Sequence, residues 1–339
     1  MKIYHFAIIG GGMIAGVHAA AIAQMPNARI AAVYDPVPSC AQAFATKYGC
    51  NAVNSLEALL ADEEIEIVNI CTPSGTHAEI AIAAAKAGKH VVVEKPLAIT
   101  SESADAVVEA QKKYGVRICV ISQLRFSESV QALKTAIQAG AFGKPVLNSL
   151  SMRYFRNEEY YRGSSWRGKW ATDGGGALMN QGIHGLDLLC YLCGPVRSVY
   201  AQYRTLLHKI EVEDTLCAVL EFENGSLGTL EASTAVAPGQ LRQIKVGGTL
   251  GSAVLQENEI TDWNAPAPRP DVKTAWKVNA ANDPSAIDCD GHRLQFENLL
   301  DSIEFGVPLL VDSAEGCRVV KLILAIYESA RTGKRITLK

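Results

Sequence analysis

Residues 3–25 read IYHFAIIGGGMIAGVHAAAIAQM, and the fold turns on how this stretch is read. An apolar run of strand character (Ile3–Ile9) enters a glycine triplet, and an apolar helix pattern (Ile14–Met25) leaves it. Gly10, Gly12 and Ala15 occupy the small positions of G-x-G-x-x-[G/A]. The first glycine permits a tight turn, the second lets backbone approach a pyrophosphate, and a small third residue lets helix pack on strand. The helix start at Gly12, Met13 and Ile14 then offers free N–H groups and partial positive charge to the phosphates. The hexamer alone is a weak signal; its place between a strand and a helix strengthens it. A glycine-rich turn in another kind of α/β protein is the plainer alternative. The stretch also has the outline of a secretion signal, with Lys2 before an apolar run, but three consecutive glycines and His18 break the apolar core such a signal needs.

Working outward, Arg29–Tyr34 forms a second strand that ends at Asp35, about 20 residues past Ala15. A carboxylate at that strand tip accepts hydrogen bonds from ribose hydroxyls and repels a 2′-phosphate, so NAD is expected over NADP. The alternation continues with a helix (Ser39–Tyr48), a strand (Glu66–Cys71), a helix (His77–Ala87), a strand (Val91–Val93), a helix (Ser101–Tyr114) and a strand (Arg117–Ser122). Short apolar strands joined by amphipathic crossovers predict a Rossmann doubly wound parallel sheet over 1–124. Beyond that point the rhythm changes. A helix (Ser127–Ala139), a strand from Val146, an apolar helix (Gly176–Cys193) and successive strands from Val196 to Leu255 predict an α+β domain over 125–339 with a large open, mostly antiparallel sheet. Asn224-Gly225 marks a hairpin between two of those strands, residues 264–284 read as a surface excursion, and the C-terminal helix is allowed to pack back on the first domain.

Length and composition agree. The chain has 339 residues, enough for two domains of roughly 100–200 residues each. Acidic residues number 35 and basic ones 32, for a net charge of −3, and this argues against nucleic-acid binding. No run is long and charge-free enough for a membrane helix. Nine scattered cysteines, an odd number, point to a reducing, cytoplasmic setting. Cys190-x-x-Cys193 has no second pair, so no metal site is expected.

Several residues carry chemistry. The loop Thr72-Pro73-Ser74-Gly75-Thr76-His77 follows a buried strand, where an open parallel sheet binds its ligand; it contacts cofactor or is a plain strand-to-helix turn. Glu94-Lys95-Pro96 ends the next strand at the same edge, and Lys95 is placed to stabilise negative charge on a substrate oxygen or simply to pair with Glu94 or face solvent. In the helix ALMNQGIHGLDLLCYLC, Asn180, His184, Asp187 and Tyr191 form a polar stripe on an otherwise apolar surface. A histidine there suits a general base taking a hydroxyl proton; an internally satisfied network explains the same stripe. Arg125 contacts substrate or makes an interdomain salt bridge. The loop holding Arg156, Tyr160, Tyr161, Arg162, Trp166 and Arg167 offers aromatic faces for sugar rings and guanidinium forks for hydroxyls or phosphates, or packs on a neighbouring subunit.

Taken together, GGGMIAG, Asp35, Glu94-Lys95-Pro96, GGGALMNQGIHGLDLL and the closing SAEGCRVVKLILAIYESARTGKRITL resemble the glucose–fructose oxidoreductase / inositol 2-dehydrogenase / MocA (Gfo/Idh/MocA) family over nearly the whole chain. The resemblance implies NAD(P)-linked oxidation or reduction of a secondary hydroxyl on a sugar, sugar derivative or inositol. It implies Lys95 and His184 as the catalytic pair, with Asn180 and Asp187 positioning, and a homodimer or homotetramer. Where that family often carries an aspartate four residues before the histidine, this chain has Asn180, so either the histidine acts with less electrostatic support or Asp187 or Asp173 provides it. On this reading Gly10, Gly12, Met13, Ile14, Asp35, Thr72, Pro73, His77, Glu94 and Lys95 hold cofactor. Arg125, Tyr161, Trp166, Arg167, Asn180 and His184 hold substrate. The alternatives are an NAD-dependent glycosidase using transient oxidation and a non-catalytic NAD-binding regulator.

Overall fold

A computed structural model describes residues 2–273, 276, 281–283 and 288–338. The chain divides into two units, Met1–Gln123 with Cys289–Val320, and Leu124–Asp288 with Lys321–Lys339. Only part of the 264–284 excursion falls within the described residues.

The first unit alternates β1 (Tyr4–Ile9), α1 (Met13–Ala23), β2 (Ala28–Tyr34), α2 (Pro38–Tyr48), β3 (Asn51–Ala52), α3 (Leu56–Ala61), β4 (Ile67–Ile70), α4 (His77–Lys86), β5 (His90–Val93), α5 (Ser101–Tyr114) and β6 (Ile118–Val120). Its strands run in the order β3-β2-β1-β4-β5-β6, every pair parallel. All four residues of β4 are buried, as are Val91, Val92 and Val93 of β5. Continuous apolar runs of this kind are the mark of strands covered on both faces. Ser55 and Thr100 cap α3 and α5 through their hydroxyls.

The second unit holds α6 (Glu128–Gln138), β7 (Pro145–Arg153), α7 (Glu158–Arg162), α8 (Trp170–Asp173), α9 (Ile183–Cys193), β8 (Val196–Arg204), β9 (Thr215–Phe222), β10 (Leu227–Ser233), β11 (Gln243–Gly248), β12 (Ser252–Gln256) and β13 (Glu259–Asn264). The chain ends with α10 (Asp290–Phe305), α11 (Ser313–Thr332) and β14 (Ile336–Thr337). The eight strands of the second sheet run β13-β12-β11-β7-β10-β9-β8-β14. β7 and β10 are parallel; the other pairs are antiparallel. Burial alternates along β9, with Leu216, Ala218, Leu220 and Phe222 inside and Cys217 and Val219 outside, as one covered face requires.

The sequence reading gave 125–339 to the second domain and allowed its C-terminal helix to pack back on the first; in the structure 289–320 groups with the first unit. The cause is α10, whose Phe296, Leu299 and Leu300 join the same apolar cluster as Phe6, Ile8 and Ile22. Gln295 adds hydrogen bonds to the Ser122 N–H and the Val120 carbonyl. Helical periodicity shows that such a face exists but not which core receives it. The two-residue strand β3 is too short to carry a period and was not anticipated; β14, equally short, stands in the closing segment that resembles the family's C-terminal helix and strand. Among the described residues no helix is long and apolar enough to cross a membrane.

Candidate active site

In the first unit the glycine motif sits between β1 and α1. Gly10 has φ +92°, and a Cβ there would lie 2.8 Å from the Cys71 carbonyl oxygen, so the turn requires glycine. A Cβ at Gly12 would meet nothing within 4 Å, so the space in front of the helix start is open. No side chain caps α1 and no acidic residue stands in its first turn, which leaves its N–H groups to an anionic ligand. Asp35 closes the rim: its two carboxylate oxygens accept the N–H groups of Gly11 and Val37, each at 2.8 Å. Open space before the helix, uncapped N–H groups and a carboxylate at the tip of β2 fit a dinucleotide.

The loops after β4 and β5 are tied together. His77 is buried, with ring nitrogens 2.7 Å from the Pro96 carbonyl and 2.8 Å from that of Thr72. Burial holds this ring below its ordinary pKa. Thr76 makes no side-chain cap; its hydroxyl donates back to the Pro73 carbonyl at 2.8 Å. Beneath Lys95 lies a buried network. His18 Nδ1 is 2.8 Å from Asn69 Oδ1, and His18 Nε2 is 2.9 Å from Glu94 Oε1. The second Glu94 oxygen accepts the Lys95 N–H at 3.1 Å. His292 Nε2 lies 4.0 Å from Glu94, and its ring centroid 5.0 Å from that of His18. Burial would lower the His18 pKa, but Cys71 and the Glu94 carboxylate outweigh it and hold the ring well above its ordinary value. Burial would raise Glu94; the His18 hydrogen bond and charge instead hold it far below the usual carboxylate range. The donor types of His18, Glu94 and His292 would suit a metal, but both His18 nitrogens already face oxygen acceptors, and the arrangement is that of a buried ion pair setting the backbone of Lys95.

In the second unit the glycine run ends in a π-helical turn, Ala177–Gly182, which leads into α9. Glu213 holds that turn: its carboxylate accepts the Gly176 and Leu178 N–H groups, each at 2.8 Å, and the Tyr327 hydroxyl at 2.9 Å. A Cβ at Gly176 would fall 1.8 Å from the Glu213 carbonyl oxygen, so only glycine fits. Burial raises the Glu213 carboxyl to about 7 despite these bonds. Asn180, on the π turn, donates to Asp173 Oδ1 at 2.7 Å and accepts from Gln181 Nε2 at 2.8 Å and the Tyr160 hydroxyl at 3.3 Å. His184 follows as the second residue of α9 and is half-buried. The guanidinium carbons of Arg156 and Arg167 lie 5.5 Å and 4.4 Å from the Tyr160 ring centroid. Tyr161 bonds Thr234 through its hydroxyl at 2.9 Å and packs 4.8 Å from the His208 ring. Asn180, Tyr160 and Gln181 thus offer amide and hydroxyl groups of the kind that bind sugar hydroxyls.

Residues 4–122 match the family described as "Oxidoreductase family, NAD-binding Rossmann fold", and residues 130–254 match "GFO/IDH/MocA C-terminal domain". The chain belongs to the Gfo/Idh/MocA family of oxidoreductases. Among curated Gfo/Idh/MocA relatives, levoglucosan dehydrogenase of Pseudarthrobacter phenanthrenivorans is 31% identical over 75% of this chain and 74% of its own length. Inositol 2-dehydrogenase of Rhizobium meliloti is 30% identical over 75% of this chain and 76% of its own length. Among solved structures, the WlbA dehydrogenase of Bordetella pertussis, in complex with NADH and UDP-GlcNAcA, superposes with a TM-score of 0.91 at 34% identity, covering 100% of this chain and 98% of that one.

Within this Gfo/Idh/MocA chain the expected site residues fall into distinct groups. Gly10, Gly12, Met13, Ile14 and Asp35 line the helix start of the first unit. Thr72, Pro73 and His77 stand in the loop beyond β4, and Glu94 and Lys95 in the turn beyond β5. In the second unit, Asn180 gathers with Tyr160 and Arg167, while Trp166 stacks on Arg167 at 5.1 Å. Arg125 and Asp187 find each other: Nε to Oδ2 is 2.8 Å and Nη2 to Oδ1 is 2.6 Å, both side chains being buried. This salt bridge lies inside the second unit. Tyr191 continues it, 4.8 Å beneath the Arg125 guanidinium and bonded to Gln131. The polar stripe therefore splits. Its lower half is an internal network, and its upper half is the amide and carboxylate cluster around Asn180. His18, Glu213 and Tyr327 were missed as site-shaping residues. His18 had a signal, a lone polar side chain in an apolar helix; Glu213 and Tyr327 had none, since they meet Gly176 only through the fold.

Proposed function

We propose that this protein is an NAD-dependent dehydrogenase acting on a secondary hydroxyl of a sugar, sugar derivative or cyclitol. The reading rests on the hydroxyl-binding cluster that Asp173 fixes around Asn180, one turn before His184, in a chain with an NAD-binding Rossmann unit. The substrate classes named for the relatives, levoglucosan, inositol and a UDP-sugar, support it. Bound NAD supplies the hydride acceptor. His184 takes the hydroxyl proton as general base. Lys95, its backbone set by the Glu94–His18 pair, hydrogen-bonds the oxygen and stabilises charge as the proton leaves. Asn180 orients the hydroxyl or the imidazole, and the Asp173 carboxylate behind it supplies the negative charge that an amide lacks. Asp187 acts through its bridge to Arg125, by holding α9. Asp35 favours NAD over NADP.

A sugar and polyol panel with NAD and NADP, read by NADH absorbance, tests the reaction. Lys95→Ala and His184→Ala are each expected to lose turnover by about 100-fold or more while still binding NAD. Full turnover in both variants would remove these roles. Release of an aglycone without net NADH would point to a glycosidase instead.

A further inference from the structure

Arg167 is held in an unusual way. Its guanidinium lies 4.4 Å from the Tyr160 ring centroid and 5.1 Å from that of Trp166. Its Nε is buried and has no hydrogen-bond partner among the described residues. No ion pair of Arg167 is formed among them either. The Nε of the nearby Arg156 likewise makes no hydrogen bond among the described residues, but its terminal nitrogens are tied to the carbonyls of Phe155 and Ala281 and to Gln181 Oε1, whereas those of Arg167 are not bonded to any described residue. A guanidinium stacked on aromatic faces keeps its hydrogen-bonding edge for something else, and a buried charged donor left unpaired is costly. A ligand that met this edge would supply the missing acceptor, and an anionic one would also match its charge.

The surroundings narrow the choice. Tyr160, whose ring carries Arg167, bonds both Asn180 and Gln181, so the cation borders the hydroxyl-binding cluster. Asp173 adds a fixed carboxylate to that cluster, 2.7 Å from Asn180 Nδ2. A phosphate dianion would meet more repulsion there than a carboxylate with its single charge. The planar fork of arginine also matches a carboxylate in two parallel hydrogen bonds. We propose that Arg167 receives the carboxylate of an acidic sugar, so that the dehydrogenase acts on a sugar acid in preference to the matching neutral sugar. This rests on the sugar-dehydrogenase reading above.

The test compares D-glucose, D-glucuronate and D-glucose 6-phosphate, with UDP-glucose against UDP-glucuronate as a second matched pair. Each is assayed with NAD on the wild type, Arg167→Gln and Arg167→Lys, after thermal unfolding shows the variants folded. The wild type is expected to favour the acid of each pair in kcat/KM, mainly through KM. Arg167→Gln should lower the acid-to-neutral ratio by roughly 10- to 100-fold. Arg167→Lys should restore only part, since it keeps the charge but not the fork. An equal ratio in wild type and Arg167→Gln, or a phosphate that depends on Arg167 more than the carboxylate does, overturns the proposal. Calorimetric titration of each sugar into the NADH-bound protein scores the preference independently of turnover. Acid binding that depends on Arg167 without any turnover would spare this proposal and sink the dehydrogenase. Turnover of neutral sugars alone would do the reverse.

Discussion

At the scale of single residues, most of the chemistry depends on what stands behind a side chain. Asp35 is an example. Its carboxylate is pinned by the Gly11 and Val37 N–H groups at the rim of the glycine turn, so the direction of its charge is fixed. Asp35→Ser is expected to raise the NADP-to-NAD ratio of kcat/KM by about 10- to 100-fold, because a like-charge contact with the 2′-phosphate is removed. Cofactor titrations of both enzymes measure it, and an unchanged ratio would discard the role. Lys95 shows the same dependence. Its position in the turn was legible from Glu94-Lys95-Pro96, but the buried His18–Glu94 pair that sets its backbone involves a residue 76 positions away from Glu94 in sequence. No local pattern contains that information.

Among elements, the π turn before α9 carries the strongest constraint. A π turn needs extra support at its start, and Glu213 supplies it by accepting two successive backbone donors and a tyrosine hydroxyl. The price is a buried carboxyl raised from its ordinary 4.5 to about 7. The sign follows from linkage. Below pH 4.5 the group is protonated both folded and unfolded, and its contribution is complete. As pH rises through 4.5 to about 7 the unfolded chain gives up the proton first, so stability falls across that window. The loss is about 3 kcal/mol by the upper end. Glu213→Gln should flatten this part of the stability-against-pH curve, measured by urea unfolding at successive pH values. Parallel curves for the two proteins would show that Glu213 is not the titrating group. The apolar periodicity of this helix was readable, but its opening π turn was not, since the carboxylate that holds it comes from the connection between β8 and β9, 37 residues beyond Gly176.

Over the whole molecule, long-range pairs decide how the segments assemble. Arg125 and Asp187 are 62 residues apart and meet as a buried two-bond salt bridge. Removing one partner leaves an uncompensated buried charge, so Asp187→Leu should cost about 3–5 kcal/mol. The double variant Arg125→Leu/Asp187→Leu should recover most of that, because two apolar side chains leave no orphan charge. Denaturant unfolding of the cycle reads the coupling, and additive losses would count against the pair. The discontinuous first unit teaches a similar lesson. Residues 289–320 return to it because Phe296 and Leu299 complete a core begun by Phe6 and Ile22.

The residue order alone was enough for the Rossmann half, the mixed second sheet and the glycine, Asp35 and lysine motifs. These are local: strand and helix periods repeat within a few residues, and a phosphate-binding turn needs small side chains at adjacent positions. Three-dimensional packing settled the partners. It put Asp173 behind Asn180, gave Asp187 to Arg125, brought Glu213 to Gly176 and left the Arg167 edge open between two aromatic rings. Those outcomes depend on which distant side chains share a low-dielectric interior, where an unpaired charge or donor is costly.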